Sequence, residues 1–227
     1  VSDSPWNMTG GDLDGDGDFD LVVCHSGGVL SILLNDGTGR FHQAPGSPIA
    51  GFANSAAIGS FNPRQDPFPD LVVESGDVGS LLLGDGTGRF HLQESFDLGG
   101  NGGIGQAVAA ADFDGDGDLD VVFGHGRGFL GSGSGLVHDT DLAVLSFPFS
   151  VLTGDFDGDG HPDAAFVSSV SVPEAVGRLQ IFLSVQDTGT FVEAPGSPMN
   201  FGYEPETMAA ADFDGDGDLD LAVGYII

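Results

Sequence analysis

The sequence predicts an all-β chain, a β-propeller of four-stranded antiparallel blades. Three observations predict it. An acidic loop motif returns about every 50 residues, which is the signature of a propeller, solenoid or array. Glycine is abundant at 39 of 227 residues, and phenylalanine supplies 18 aromatics, a composition suited to strands joined by tight turns. No stretch carries a helical apolar stripe of useful length.

The motif is Asp-x-Asp-Gly-Asp-Gly-x-x-Asp, at residues 12–20, 112–120, 155–163 and 212–220, with a degenerate copy from Asn62 to Asp70. The starts are spaced by 50, 50, 43 and 57 residues, so the third repeat is shortened and the fourth lengthened. Other landmarks keep the same period. Ala44-Pro-Gly-Ser-Pro48 returns as Ala194-Pro-Gly-Ser-Pro198, and Asp36-Gly-Thr-Gly-Arg-Phe41 returns as Asp85-Gly-Thr-Gly-Arg-Phe90.

Within one period four short strands follow in order. The first runs into the acidic loop (Ala107–Ala111, Met208–Ala211). The second leaves it as an apolar run: Leu21–Cys24, Leu71–Val73, Val121–Phe123, Ala164–Val167 and Leu221–Val223. The third follows a glycine break (Val29–Leu34, Gly79–Leu83, Leu179–Leu183). The fourth follows the turn after it (Arg40–Gln43, Arg89–Leu92, Thr190–Glu193). Glycine-containing connections of a few residues between such runs are hairpin signals. The expectation is one propeller domain over 1–227, with blades at about 1–50, 51–100, 101–145, 146–200 and a partial blade at 201–227. Three readings of that partial blade stay open: a five-bladed ring with one short blade, a piece of a larger propeller, or a blade completed by a neighbouring subunit.

The acidic loops carry the chemistry. Asp112, Asp114, Asp116, Asp118 and Asp120 fall within nine residues, and the same pattern gives Asp12, Asp14, Asp16, Asp18 and Asp20. It also gives Asp155, Asp157, Asp159, His161 and Asp163, then Asp212, Asp214, Asp216, Asp218 and Asp220. Carboxylates so close repel one another unless a cation sits among them. A ring of hard oxygen donors on a flexible loop favours Ca²⁺ over Mg²⁺, and zinc would want His or Cys at ligand positions. Position 7 (Asp18, Asp118, His161, Asp218) varies, as expected if only its backbone carbonyl coordinates. The loops differ from an EF-hand, which needs Glu at position 12. Here that position is Val23, Phe123, Phe166 or Val223, inside the following strand, so position 9 closes the site.

The degenerate loop keeps carboxylates only at positions 5 and 9 (Asp66 and Asp70) and places Arg64 at position 3. It is expected to hold no Ca²⁺. Either the Arg64 guanidinium replaces the metal by reaching Asp66 and Asp70, or it points to solvent. The expectation is therefore about four Ca²⁺ per chain.

Charge excludes several function classes. With 35 acidic residues, 5 Arg and no Lys, the formal net charge is −30, and four Ca²⁺ would raise it to −22. Such a chain offers no footprint for nucleic-acid phosphates or anionic lipid headgroups. No apolar run is long enough for a membrane-spanning helix, so membrane insertion is not expected. Cys24 stands alone, which permits no internal disulfide. No signal-peptide pattern is visible at Val1, which suits a processed protein, an excised fragment or a cytosolic one.

The motif Asp112-Phe-Asp-Gly-Asp-Gly-Asp-Leu-Asp120, flanked by Ala-Ala-Ala and Val-Val-Phe-Gly, resembles the FG-GAP (VCBS-type) repeats of integrin alpha-subunit propellers and secreted microbial proteins. The resemblance covers nearly the whole chain. It implies a β-propeller with Ca²⁺ in the loop between the first two strands of each blade. It also implies an extracellular location and roles in adhesion, glycan binding or carbohydrate-active enzymes. Integrin propellers have seven blades, and the four and a half repeats here depart from that count.

Catalysis finds little support in the sequence. His25 and His125 are repeat equivalents, as are His42 and His91, so they fall in different blades rather than one cluster. No Gly-x-Ser-x-Gly elbow occurs, and Cys24 follows an apolar strand that favours burial over reactivity. Asn7-Met-Thr9 is a lone glycosylation sequon. The expectation is a non-enzymatic, extracellular Ca²⁺-stiffened assembly or adhesion module. It would contact its own copies or a host surface protein through the open blade edge. The alternative is a lectin-like module that binds glycans. Trp6, Tyr203 and Tyr225 are not repeated, which counts against a lectin with one sugar site per blade.

Overall fold

The computed structural model describes residues 4–51, 54–99, 107–144, 148–171, 175–185 and 187–225. Among them the chain forms strands and turns, with no α-helix and so no helix long and apolar enough to cross a membrane. Contacts gather the chain into two compact units, Val1–Gly102 with Ser132–Gly135, and Gly103–Gly131 with Leu136–Ile227.

The first unit holds two sheets. One runs in order through β1 (Pro5–Gly11), β2 (Asp20–His25), β3 (Val29–Asn35) and β4 (Phe41–Gln43), with β5 (Ile49–Ala50) also on β3. The other runs β6 (Ser55–Gly59), β7 (Asp70–Ser75), β8 (Val78–Gly84) and β9 (Phe90–Asp97). Every neighbouring pair is antiparallel. The burial of β2 and β3 alternates residue by residue, as a pleated strand with one covered face requires. Val22, Cys24, Leu30, Ile32 and Leu34 project from that face onto Ala56, Leu71, Val73, Leu82 and Phe90 of the second sheet. Cys24 is buried there, and burial pushes its thiol up to about 12, which keeps it protonated.

The second unit holds three sheets. They are β10 (Val108–Ala111), β11 (Asp120–Phe123), β12 (Arg127–Gly131) and β13 (Leu136–Asp141); then β14 (Pro148–Gly154), β15 (Asp163–Ser171), β16 (Ala175–Val185), β17 (Thr190–Glu193) and β18 (Met199–Phe201); then β19 (Pro205–Ala211) and β20 (Asp220–Tyr225). The middle sheet is covered on both faces. Ala164 and Phe166 pack with Phe113, Val122 and Phe182, while the intervening Ala165 and Val167 pack with Leu179, Met208, Leu221 and Val223. A strand buried on both faces reads as a continuous apolar run, which is why Ala164–Val167 shows no alternation. Phe166 meets Phe182 edge to face at 5.8 Å, and complete burial of such a side chain contributes about 1.5–3 kcal/mol.

Each complete repeat is thus a four-stranded antiparallel sheet of the kind that forms a propeller blade. Two features go beyond the sequence expectation. The fourth strand of two sheets is interrupted and resumed: β4 pairs with Leu33–Asn35 and β5 with Val29–Leu30, with a three-residue offset between them. β17 and β18 do the same on β16. The excursion is the Ala-Pro-Gly-Ser-Pro segment, where the Ser47 and Ser197 hydroxyls accept the Ile32 and Ile181 N–H groups at 2.9 and 3.1 Å. The hydroxyl fills the gap in the ladder that the excursion opens. The second feature is β12 and β13, which glycine- and serine-rich sequence conceals.

Candidate metal centre

Each acidic loop joins the first two strands of its sheet, and position 9 is the first residue of the second strand. The glycines at positions 4 and 6 take left-handed backbone: Gly115 has φ 76° and Gly117 φ 92°, a region open to glycine without strain. That path turns the backbone N–H groups inward onto the carboxylates.

The same bonds recur in every intact loop. At position 1, Asp12 accepts the Gly15 N–H on Oδ1 at 2.7 Å and the Gly17 N–H on Oδ2 at 3.0 Å. Asp112, Asp155 and Asp212 do likewise. At position 3, Asp14 Oδ1 accepts the Asp16 N–H at 3.3 Å, and at position 5, Asp16 Oδ1 accepts the Asp18 N–H at 2.9 Å. Position 9 reaches farthest. Asp20 Oδ2 accepts the Leu13 N–H at 2.8 Å, while Oδ1 accepts the N–H of Asn35 on the third strand, also at 2.8 Å. Asp120 receives Phe113 and Gly131, and Asp163 receives Phe156 and Ser184. In the fifth sheet, where no third strand is described, Asp220 accepts the Phe213 N–H at 3.0 Å.

The loops bring together Asp12, Asp14 and Asp20; Asp112, Asp114 and Asp120; Asp155, Asp157 and Asp163; and Asp212, Asp214 and Asp220, each set offering oxygens within 4.8 Å of one another. The set takes in positions 1, 3 and 9. The position 5 carboxylates (Asp16, Asp116, Asp159, Asp216) stand outside it and cap the position 7 N–H instead. At position 7, the His161 ring lies beside Gly115 of the preceding loop, and its own N–H is held by Asp159.

Electrostatics match that crowding. Burial pushes Asp120 up to about 6 against backbone hydrogen bonds from Gly131, Phe113 and Asp114 that pull it down. Asp163 is raised for the same reason. Asp14 and Asp114 are raised by burial first, then by the charges of neighbouring aspartates. Like charges held this close favour a bound cation, and all three donors in each set are hard carboxylate oxygens.

Loop 62–70 follows a different path. Pro63 opens a turn in which the Asn62 carbonyl accepts the Gln65 N–H at 2.7 Å. Asp70 keeps the third-strand bond, to Gly84 at 3.0 Å, and because Pro63 at position 2 has no N–H it takes that of Phe61 instead, at 2.9 Å. Asp66 accepts the Phe68 N–H and the Asn62 side-chain amide, both at 3.1 Å. Arg64 donates through Nη1 to the Ser132 carbonyl at 2.7 Å, within the first unit.

Residues 12–62, 65–123 and 155–223 each match the FG-GAP-like repeat, together most of the chain. The chain belongs to the FG-GAP-like repeat family. Its FG-GAP repeats are similar in structure to BBS1N, solved in complex with ARL6DN (TM-score 0.57, 14% identity, covering 99% of this chain and 63% of that one). An Agrocybe aegerita lectin that recognises non-reducing terminal N-acetylglucosamine gives a TM-score of 0.57 at 16% identity, over 96% of this chain and 60% of the lectin. The V. cholerae biofilm matrix protein Bap1 gives 0.53 at 18% identity, over 92% of this chain and 30% of Bap1. At such identities the likeness shows the fold alone, and this FG-GAP chain spans less than two thirds of each of these proteins. Comparison with proteins of curated function gives no match.

The sequence reading missed two things. One is the role of third-strand N–H groups in fixing position 9, which no local motif announces. The other is that Tyr203 and Tyr225, the only tyrosines in the chain, lie side by side with ring centroids 6.2 Å apart.

Proposed function

We propose that this chain is a non-catalytic, extracellular FG-GAP module stiffened by Ca²⁺ and used for adhesion. One observation carries the reading: four loops, built alike, each hold three carboxylates close enough to share one cation. Asp at positions 1, 3 and 9 would hold Ca²⁺ in each, with the position 5 carboxylate and the position 7 carbonyl as further oxygen donors. The ion would neutralise the repulsion and tie the first two strands of the sheet together. Loop 62–70 lacks carboxylates at positions 1 and 3 and would stay without metal. The histidines support a non-catalytic role: His25 bonds Ser31 at 2.9 Å, and exposed His91 lies 4.0 Å from Asp85 in its own hairpin. The similarity to a biofilm matrix protein supports adhesion. Native mass spectrometry in Ca²⁺ and after chelation tests the reading. Four ions per chain are expected, and a metal-free chain in millimolar Ca²⁺ would sink it.

A second reading is glycan binding. It is favoured by two exposed, adjacent tyrosines and by the similarity to a sugar-recognising lectin.

A further inference from the structure

The clustered tyrosines are built on a firm base. Phe201 packs onto the core formed by Ala165, Val167 and Leu179. Tyr225 meets Phe201 edge to face at 5.6 Å, and Tyr203 leans on Tyr225 with the rings inclined by 58°. Tyr203 is 57% exposed and Tyr225 39%, so both present ring surface to solvent while one edge is anchored. The backbone beneath is locked as well: a Cβ at Gly177 would collide with the Tyr203 carbonyl oxygen and with Pro205. Only glycine lets the Tyr203 turn close over β16.

The other repeats show that the fold does not need these aromatics. By the repeat registers, Gly51 stands where Phe201 does, and His25 where Tyr225 does. His25 serves there by bonding Ser31 at 2.9 Å. Residues required by the architecture recur at their repeat position, as Asp20, Asp70, Asp120, Asp163 and Asp220 do. The aromatic cluster is found in one place only among these equivalents. A side chain that is exposed, anchored and dispensable to the fold is placed for contact with something else.

We infer that Tyr203 and Tyr225 form a stacking platform for a neutral glycan, a proposal that rests on the glycan-binding reading of this module. Axial C–H groups of a pyranose ring pack on aromatic faces, which the exposed Tyr203 and Tyr225 rings offer. A chain of net charge −30 disfavours acidic sugars, which is why the ligand is neutral. Rigid tyrosines lose little conformational entropy when they bind, so a small platform is effective.

The test uses the full chain in millimolar Ca²⁺ and a panel of neutral tetrasaccharides of glucose, galactose, mannose and N-acetylhexosamines, read by saturation-transfer NMR and titration. Native mass spectrometry of the same samples counts Ca²⁺. At least one sugar is expected to bind, Tyr203→Ala to weaken it about tenfold or more, and Tyr203→Phe to keep it, with the metal count unchanged. Equal binding by wild type, Tyr203→Ala and Tyr225→Ala would overturn the platform and leave the glycan reading standing. No sugar bound by a chain that keeps its Ca²⁺ would overturn both and leave the metal reading intact. Binding of a proline-rich decapeptide in place of any sugar would also overturn it.

Discussion

Loops 62–70 and 112–120 each carry the chain from the first to the second strand of a sheet, and both end on a buried aspartate that begins that strand. Asp70 and Asp120 each accept one N–H from the start of the turn, Phe61 just ahead of its loop and Phe113 at position 2, and one from the third strand, at 2.6 to 3.0 Å. There the likeness stops. Loop 112–120 gathers Asp112 and Asp114 onto Asp120 through two left-handed glycines. Loop 62–70 has Asn62 and Arg64 at those positions, three prolines, and a turn closed on the Asn62 carbonyl. The difference separates two jobs that share one residue. Position 9 latches loop to sheet through its backbone bonds, while positions 1 and 3 would serve the proposed cation. A loop that loses the second job keeps the first, and its prolines lower the entropy of the unfolded chain in place of a metal.

The largest effect should come from removing the metal. At a hundredfold excess over Kd, each site would contribute about 2.7 kcal/mol, so chelation should lower Tm on the order of 20 °C. A calorimetric scan in Ca²⁺ and in chelator checks this, and coincident Tm values would end the distinction between the loops.

Next in size is the latch. Asp70→Ala leaves two N–H groups without their acceptor and should cost roughly 2–4 kcal/mol with or without Ca²⁺. Asp120→Ala should cost as much in chelator and more in Ca²⁺. Denaturant titration reads the stability, while ion counting should find four Ca²⁺ in the first variant and three in the second.

A smaller change sharpens the contrast further. Restoring the carboxylates by Asn62→Asp with Arg64→Asp should not create a fifth site, because Pro67 stands where the other loops need φ near 92°. Adding Gln65→Gly and Pro67→Gly should create it. A fifth ion in the double variant would show that charge alone makes the loop.

The smallest effect is the pH response. Burial raises both Asp70 and Asp120 from the ordinary carboxyl value, the latter to about 6. A carboxyl raised in the folded state favours folding below its unfolded value of about 3.9 and loses that contribution as pH rises through the folded one. The chelated protein should therefore gain stability from Asp120 between pH 7 and pH 5, and Asp70 acts in the same direction. In carboxyl NMR titrations, Ca²⁺ should pull Asp120 down and leave Asp70 where it is.

How much of this was legible follows from how local each cause is. The acidic loops, their glycines and, to within one residue, the strand starts at Asp20, Asp120, Asp163 and Asp220 can be read directly, because each loop closes on itself within nine residues. Strands β12 and β13 could not, since Arg127-Gly-Phe-Leu-Gly131 has little intrinsic strand preference and is held by pairing with β11. The resumed strands β5 and β18 were hidden for a similar reason: two or three residues become a strand only because β3 and β16 offer them an edge.

The sequence by itself determined the repeat, the all-β class, the carboxylate donors of four loops and the missing carboxylates of a fifth, since all of these depend on residue type and short spacing. The tertiary structure alone decided which oxygens converge. Positions 1, 3 and 9 meet within 4.8 Å, while one oxygen of position 5 takes the position 7 N–H; in three of the four loops the third strand also holds the position 9 carboxylate. It also decided that two tyrosines 22 residues apart share a surface, through a glycine on β16 that lets one backbone close over another.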